Sequence, residues 1–250
     1  METSEAPSSR RPWLRTALAL GAAGAVVIVL VAVGWRPLVA LDRAVAHVLH
    51  VRALAHPDWT GTNRILTDWV WDPVTMRLLV LAAALWVGLR GERLRAVWCA
   101  VTAAAGAGVQ QALKALLDRE RPQWEHPVDS AQYSAMPSGH VMTAALACTL
   151  LVWLVRRTDA GAPSRALVLA AAVLSVAGVA LTRVALGVHW LTDTVAGAAL
   201  GVALAAAAIG AFESFSGRTA RRGPSERADS RDRHPGRTGA DVNGARPGAG

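Results

Sequence analysis

Six stretches of this chain are apolar over roughly the 20 residues that a helix needs to cross a bilayer. That constraint outweighs every other signal in the sequence. It implies an all-α, polytopic membrane protein with six transmembrane helices. The spans are expected at Thr16–Gly34, Thr75–Leu89, Ala96–Leu117, Ser138–Val155, Ala166–Leu181 and His189–Ala211. The second is short, and Arg77 can snorkel from its end. Ala44-Val45-Ala46 resembles a signal-peptide cleavage site but lies well beyond the first run, which is therefore expected to remain as an anchor. Hydrophobic residues make up 53% of the chain, more than a soluble domain of this length carries.

The expected layout is one membrane domain, residues 16–212, between a cytoplasmic N-terminal segment, 1–15, and a disordered basic cytoplasmic tail, 213–250. The tail has almost no apolar residues and cannot bury a core. Between the first two spans, Trp35 to Pro73 is interrupted by charges and by His47, His50 and His56. Leu38, Leu41, Val45, Val48 and Leu49 recur there near helical spacing, and Trp35, Trp59, Trp69 and Trp71 suit a membrane boundary. Amphipathic interfacial helices in the first outer loop are expected, with the histidines at the surface. Cys99 and Cys148 lack redox or metal spacing and read as small buried hydrophobes.

The net charge is +8, and the arginines gather at the ends of apolar runs and in the tail. That placement suits the cytoplasmic side of a membrane rather than nucleic acid. It puts both termini, the Arg90–Arg95 turn and the Arg156–Arg165 turn inside, and the remaining connectors outside.

Those outer connectors carry the chemistry. Lys114, the only lysine in the chain, lies seven residues before Arg121-Pro122. Pro137-Ser138-Gly139-His140 opens a helix. Ser138 is a suitable N-cap, Gly139 permits close backbone approach, and the helix N-terminus favours an anion. His189 and Asp193, four apart, fall on one helical face. There the carboxylate can hold the imidazole in one tautomer and leave Nε2 free as a nucleophile. Arg183 precedes them across a connector, Thr182 to Val188. Read singly, each piece has an ordinary structural explanation: a snorkelling lysine, a helix cap, an interfacial His–Asp pair. A metal site from His140, His189 and Asp193 is disfavoured because three cations crowd the same place.

Taken together, the three pieces resemble the type 2 phosphatidic acid phosphatase superfamily. Lys114…Arg121-Pro122, Pro137-Ser138-Gly139-His140 and Thr182-Arg183…His189…Asp193 match its three motifs in spacing, with Thr182 where the family usually has Ser. The resemblance implies catalytic roles for His189 as nucleophile, His140 as acid and Asp193 as its orienting partner. It implies that Lys114, Arg121, Ser138, Gly139 and Arg183 bind the phosphoryl group, with no metal and no cofactor. The implied activity is an integral-membrane lipid phosphate or diphosphate phosphatase of the bacterial inner membrane, acting at the outer face. The implied partners are a lipid substrate and the bilayer, with undecaprenyl diphosphate as the leading substrate. The alternatives are a phosphotransferase of the same superfamily, a phosphatase for phosphatidic acid or phosphatidylglycerophosphate, and a non-enzymatic transporter or scaffold for anionic lipid.

The arginine distribution makes a checkable statement about sidedness. Single cysteines introduced near Glu125 and near Asp159, in a background lacking Cys99 and Cys148, should label from outside and from inside respectively. The reverse pattern would move the motifs to the cytoplasmic face.

Overall fold

In the computed structural model, the backbone is described over residues 10–232 and the side chains over 11–216. The helices are α1 (Arg10–Ala32), α2 (Arg36–Ala55), α3 (Pro57–Ile65), α4 (Pro73–Leu89), α5 (Arg93–Leu117), α6 (Gly139–Arg156), α7 (Ala162–Ala185) and α8 (Leu191–Asp232). A π-helical turn, Leu66–Val70, joins α3 towards α4. Among the described residues, six helices are long and apolar enough to cross a membrane. One of these runs over Pro57–Leu89, so the second expected span is extended upstream through α3 and the π turn. The backbone of α8 continues as helix into the segment expected as a tail, and residues 1–9 and 233–250 lie outside the described residues.

Within residues 1–213, α6 is the enclosed helix. Val141, Ala144, Leu146, Leu150 and Trp153 are all buried. Leu18, Leu78, Leu167 and Leu174, on other helices, remain exposed as a lipid-facing surface does. Small residues set how closely the neighbours of α6 approach. A Cβ at Gly201 of α8 would stand 2.4 Å from the Met142 carbonyl oxygen, and one at Gly197 would stand 2.8 Å from that of Ser138. The two backbones are therefore in direct contact, as small residues allow between membrane helices. On the other side, a Cβ at Gly106 of α5 would meet Leu146 at 2.4 Å. At the end of the bundle carrying Arg156, Phe212 packs edge-on against Trp98 and Trp153, with centroids 5.7 and 5.4 Å away.

Several boundaries differ from the sequence expectation. α7 continues to Ala185, so Arg183 lies in the last helical turn rather than in a connector. Gly187 (φ +70°) ends α7. Its N–H bonds Val184 O, and the Val188 N–H bonds Arg183 O, the paired pattern of a Schellman cap. A left-handed residue is needed there, and glycine adopts it without steric cost. α2 is amphipathic as expected, but its inner face buries Asp42 and His50 as well as Ala46 and Ala53. His50 is thus a packed residue, stacked on Trp124 with centroids 3.9 Å apart, whereas His47 and His56 are exposed. Cys99 is buried and Cys148 is partly so.

The α6–α8 contact yields a stability prediction. At Gly201 the obstacle is backbone, which cannot rotate away. Gly201→Ala should therefore destabilise the protein by about 1–3 kcal/mol, the usual cost of overpacking. Gly108→Ala, where nothing lies within 4 Å, should be tolerated. Thermal unfolding in detergent measures both, and equal melting temperatures for the two variants would contradict the packing.

Candidate active site

The three motifs converge at one end of the bundle, where α5 and α7 finish and α6 and α8 begin. Lys114, in the last turn of α5, donates from Nζ to Ser134 O at 2.9 Å. Arg121, four residues past the helix, spreads its guanidinium over loop carbonyls. Nε donates to Tyr133 O at 2.9 Å, Nη2 to Gln132 O at 2.9 Å and to Ser134 O at 3.4 Å, and Nη1 to Val188 O at 2.6 Å. The two cations thus meet at the Ser134 carbonyl. The loop holding them is anchored by Ala135 N–H on Arg119 O.

His189 sits between the cap of α7 and the start of α8 rather than on a helix, and is almost wholly buried. Its Nε2 lies 3.3 Å from Arg121 Nη1, and its Nδ1 lies 3.4 Å from Asp193 Oδ2. A guanidinium can only donate, so Nε2 must offer its lone pair and the proton must sit on Nδ1, facing the carboxylate. That is the tautomer a nitrogen nucleophile requires. The Nδ1–carboxylate separation is longer than a formed hydrogen bond, as is common before substrate tightens a site. Burial, followed by the charges of Arg183, Arg121 and Lys114, holds the His189 imidazole well below its usual pKa, so it is neutral and its lone pair is available.

Asp193 occupies the third position of α8. Its Oδ2 reaches back to the Trp190 N–H at 2.8 Å, the return arm of a capping box. The Ser138 N–H bonds the Asp193 carbonyl at 3.0 Å, tying the second motif to the third. Ser138 precedes α6 as expected, but its hydroxyl caps nothing. Its Oγ is buried without a protein partner, and so is Nε of Arg183. Two buried polar atoms left unpaired at one site are unusual and point to a polar ligand. Arg183 has a distant ion pair to Asp129, Nη1 to Oδ2 at 4.0 Å. His140, in the first turn of α6, is partly exposed and lies within the electrostatic reach of Arg183, His189, Lys114 and Arg121. At Gly139 the missing side chain makes room for Gln110, whose Nε2 would be 2.5 Å from a Cβ. Gln110 Oε1 in turn accepts from Thr143 Oγ1 at 3.2 Å, joining α5 to α6.

Two residues at the site were not singled out in the sequence. Arg119 Nη1 contacts Asp193 Oδ1 at 2.5 Å, and its Nη2 pairs with Asp42 Oδ2 of α2 at 2.8 Å. The available signal was general: a buried carboxylate needs a cation, and Arg119 stands among the charges after α5. Among the described residues, no group of three or more His, Cys, Asp or Glu forms a site that could hold a metal ion.

A model of the PAP2 superfamily matches residues 95–215, a segment containing all three motifs. Over that segment the chain is similar to the PAP2 superfamily. The fold agrees. A solved structure described as the first transmembrane PAP2-type phosphatidylglycerolphosphate phosphatase from Bacillus subtilis superposes with a TM-score of 0.70. It is 20% identical in sequence, and the match covers 80% of this chain and 96% of that one. A search of the curated proteins finds no match. With six helices long and apolar enough to cross a membrane among its described residues, the chain is a multi-pass membrane protein of this fold.

The tautomer and charge of His189 can be measured. In ¹⁵N-histidine spectra of the detergent-solubilised protein, His189 should be neutral with its proton on Nδ1 at pH 6. A free imidazole would be mostly protonated at that pH. The sign follows from linkage. The unfolded chain takes up this proton below about pH 6.5 and the folded chain does not, so His189 reduces stability as pH falls through that value and not above it. An imidazolium signal for His189 at pH 6 would contradict the buried geometry.

Proposed function

We propose that this protein hydrolyses a long-chain lipid phosphate or diphosphate through a phosphohistidine on His189. The observation that carries the proposal is the arrangement at His189: a buried imidazole with Nε2 3.3 Å from Arg121 Nη1 and Nδ1 3.4 Å from Asp193 Oδ2. The buried, unpaired Ser138 Oγ and Arg183 Nε support an anionic ligand in the same place.

In the first step, the His189 Nε2 lone pair forms a bond to phosphorus while the bond from phosphorus to the leaving oxygen breaks. His140 gives that oxygen a proton, so the lipid departs as an alcohol, or as a monophosphate when the substrate is a diphosphate. In the second step, His140 takes a proton from water. The hydroxyl bonds to phosphorus, the P–N bond breaks, and inorganic phosphate leaves with His189 restored. Lys114, Arg121, Arg183, the Ser138 hydroxyl and the Gly139 N–H hold the phosphoryl oxygens. Phosphoryl transfer needs mainly such positioning and charge stabilisation. Side-chain cations supply the neutralisation that a metal ion provides in other phosphoryl-transfer sites, so turnover requires no metal.

The lipid preference follows from where the site lies. It sits at the ends of membrane-crossing helices, so a lipid can present its phosphate while its chains stay in hydrocarbon. Each methylene kept out of water contributes ~0.8 kcal/mol. The arginine distribution orients this end outward from a bacterial inner membrane, with both termini cytoplasmic. Undecaprenyl diphosphate, exposed on that face during carrier-lipid recycling, is the leading substrate. The solved relative's description names phosphatidylglycerolphosphate, which makes the corresponding lipid the second candidate.

The test measures kcat/KM, in excess chelator, on a long-chain polyprenyl diphosphate, phosphatidylglycerophosphate, phosphatidic acid and a soluble aryl phosphate. Activity should persist in chelator, exceed that on the soluble ester by orders of magnitude and be highest on the diphosphate. His189→Ala should abolish it in a folded protein. Equal efficiency on the aryl phosphate would refute the lipid reading, and an active His189→Ala would refute the phosphohistidine.

A further inference from the structure

Three side chains that the reaction steps above do not use, Asp42, Thr192 and Arg119, form a closed network with Asp193 next to His189. Asp42 of α2 is 1% exposed. Its Oδ1 accepts the Thr192 backbone N–H at 2.9 Å, and its Oδ2 accepts the Thr192 hydroxyl at 2.5 Å and Arg119 Nη2 at 2.8 Å. Arg119 Nη1 continues to Thr192 Oγ1 at 2.8 Å and to Asp193 Oδ1 at 2.5 Å. The Arg119 guanidinium also lies 5.7 Å from the centre of the Trp190 ring, and the Trp190 indole N–H bonds Glu120 O at 2.9 Å.

The two oxygens of Asp193 are thereby divided. Oδ2 faces His189 and the Trp190 N–H, while Oδ1 is held by Arg119. A carboxylate with one oxygen fixed cannot rotate, so the other stays aimed at Nδ1. The same contact raises a difficulty. A guanidinium in direct contact cancels the negative charge that Asp193 should present to His189 when the imidazole becomes cationic. Asp42 removes the difficulty, because two carboxylates against one guanidinium leave one negative charge next to the imidazole. Asp42 also satisfies the Thr192 N–H, one of the amides that a helix start leaves without an intrahelical partner.

From this geometry we infer that Arg119 and Asp42 are positioning residues for the reaction. Arg119 fixes the Asp193 carboxylate against His189, and Asp42 supplies the negative charge that Arg119 would otherwise cancel. The inference rests on His189 being the attacking group. It extends the functional site to α2, outside the segment that the family model matches.

The experiment uses the full chain in detergent micelles with dispersed phosphatidic acid as the substrate. The variants are Arg119→Gln, Arg119→Lys, Asp42→Asn and the pair Asp42→Asn with Arg119→Gln. Arg119→Gln should lower kcat about 10- to 100-fold, the range typical when a partner that orients a reactive group is lost. KM should stay within about twofold, since neither residue holds the substrate. Arg119→Lys keeps the charge and should recover part of kcat. Asp42→Asn should lower kcat about 10-fold. The paired variant should lose no more than the worse single one, because both act through Asp193. It also removes one of the two buried carboxylates that Arg119→Gln strips of their cation, and Arg119→Lys, which keeps a cation beside Asp193, is the variant read where the glutamine variants do not fold.

Unchanged kcat in the folded paired variant, or losses that multiply as for independent sites, would overturn the inference. A raised KM at constant kcat would overturn it too, by making Arg119 a substrate ligand. His189→Ala is run alongside. If it is inactive while Arg119→Gln keeps the wild-type kcat, only this inference fails. If it is active, the inference fails together with the reading it rests on.

Discussion

A carboxylate withdrawn from water must be paired, and the architecture around Asp193 follows from that requirement. Asp193 is fully buried, and its oxygens take a guanidinium, a backbone amide and an imidazole. An isolated buried charge would be costly enough to abandon ionisation. Each partner reaches Asp193 only because another element holds it. Arg119 is aimed by the loop after α5, Trp190 by the start of α8, and His189 by the cap of α7. Removing Arg119 would leave the Asp193 carboxylate buried without a cation.

Backbone proximity makes that convergence possible. α8 lies against α6 through Gly197 and Gly201, close enough that a methyl group would strike a carbonyl oxygen. The Ser138 N–H therefore reaches the Asp193 carbonyl, and the second and third motifs share a hydrogen bond. On the opposite flank, Trp124 stacks on His50 and donates its indole N–H to Gly187 O at 2.9 Å. That contact braces the turn from which His189 projects. Gly187 serves both needs, supplying the left-handed cap and leaving space for the indole, whose Nε1 would be 2.6 Å from a Cβ.

Much of this was legible in the chain. Spans of uniform Ala, Val and Leu have few alternatives to helix, and the three motifs name residues that do meet at one end of the bundle. The limits of legibility have physical causes. Helix ends depend on caps, and the glycine at 187 extends α7 far enough to take in Arg183, where the loss of hydrophobicity after Leu181 suggested a connector. Ser138 has the chemistry of an N-cap, yet whether its hydroxyl folds back is decided by its packing against α8. Asp42 and Arg119 were invisible as a pair because nothing in local sequence joins positions so far apart. An amphipathic helix rich in charges reads as a surface element until a neighbour buries one of them.

Asp42 therefore changes what counts as the working unit of this protein. The region shared with the family, residues 95–215, holds every motif residue and looks like a portable cassette. The ion pair from α2 implies that it is not portable. A chimera joining this segment to the first two helices of another relative would carry the whole signature and still lack the counter-charge beneath it. Divergence in the leading helices is then constrained at one position by chemistry performed elsewhere. Relatives that lack an acid there must balance the arginine by some other means or do without the arginine.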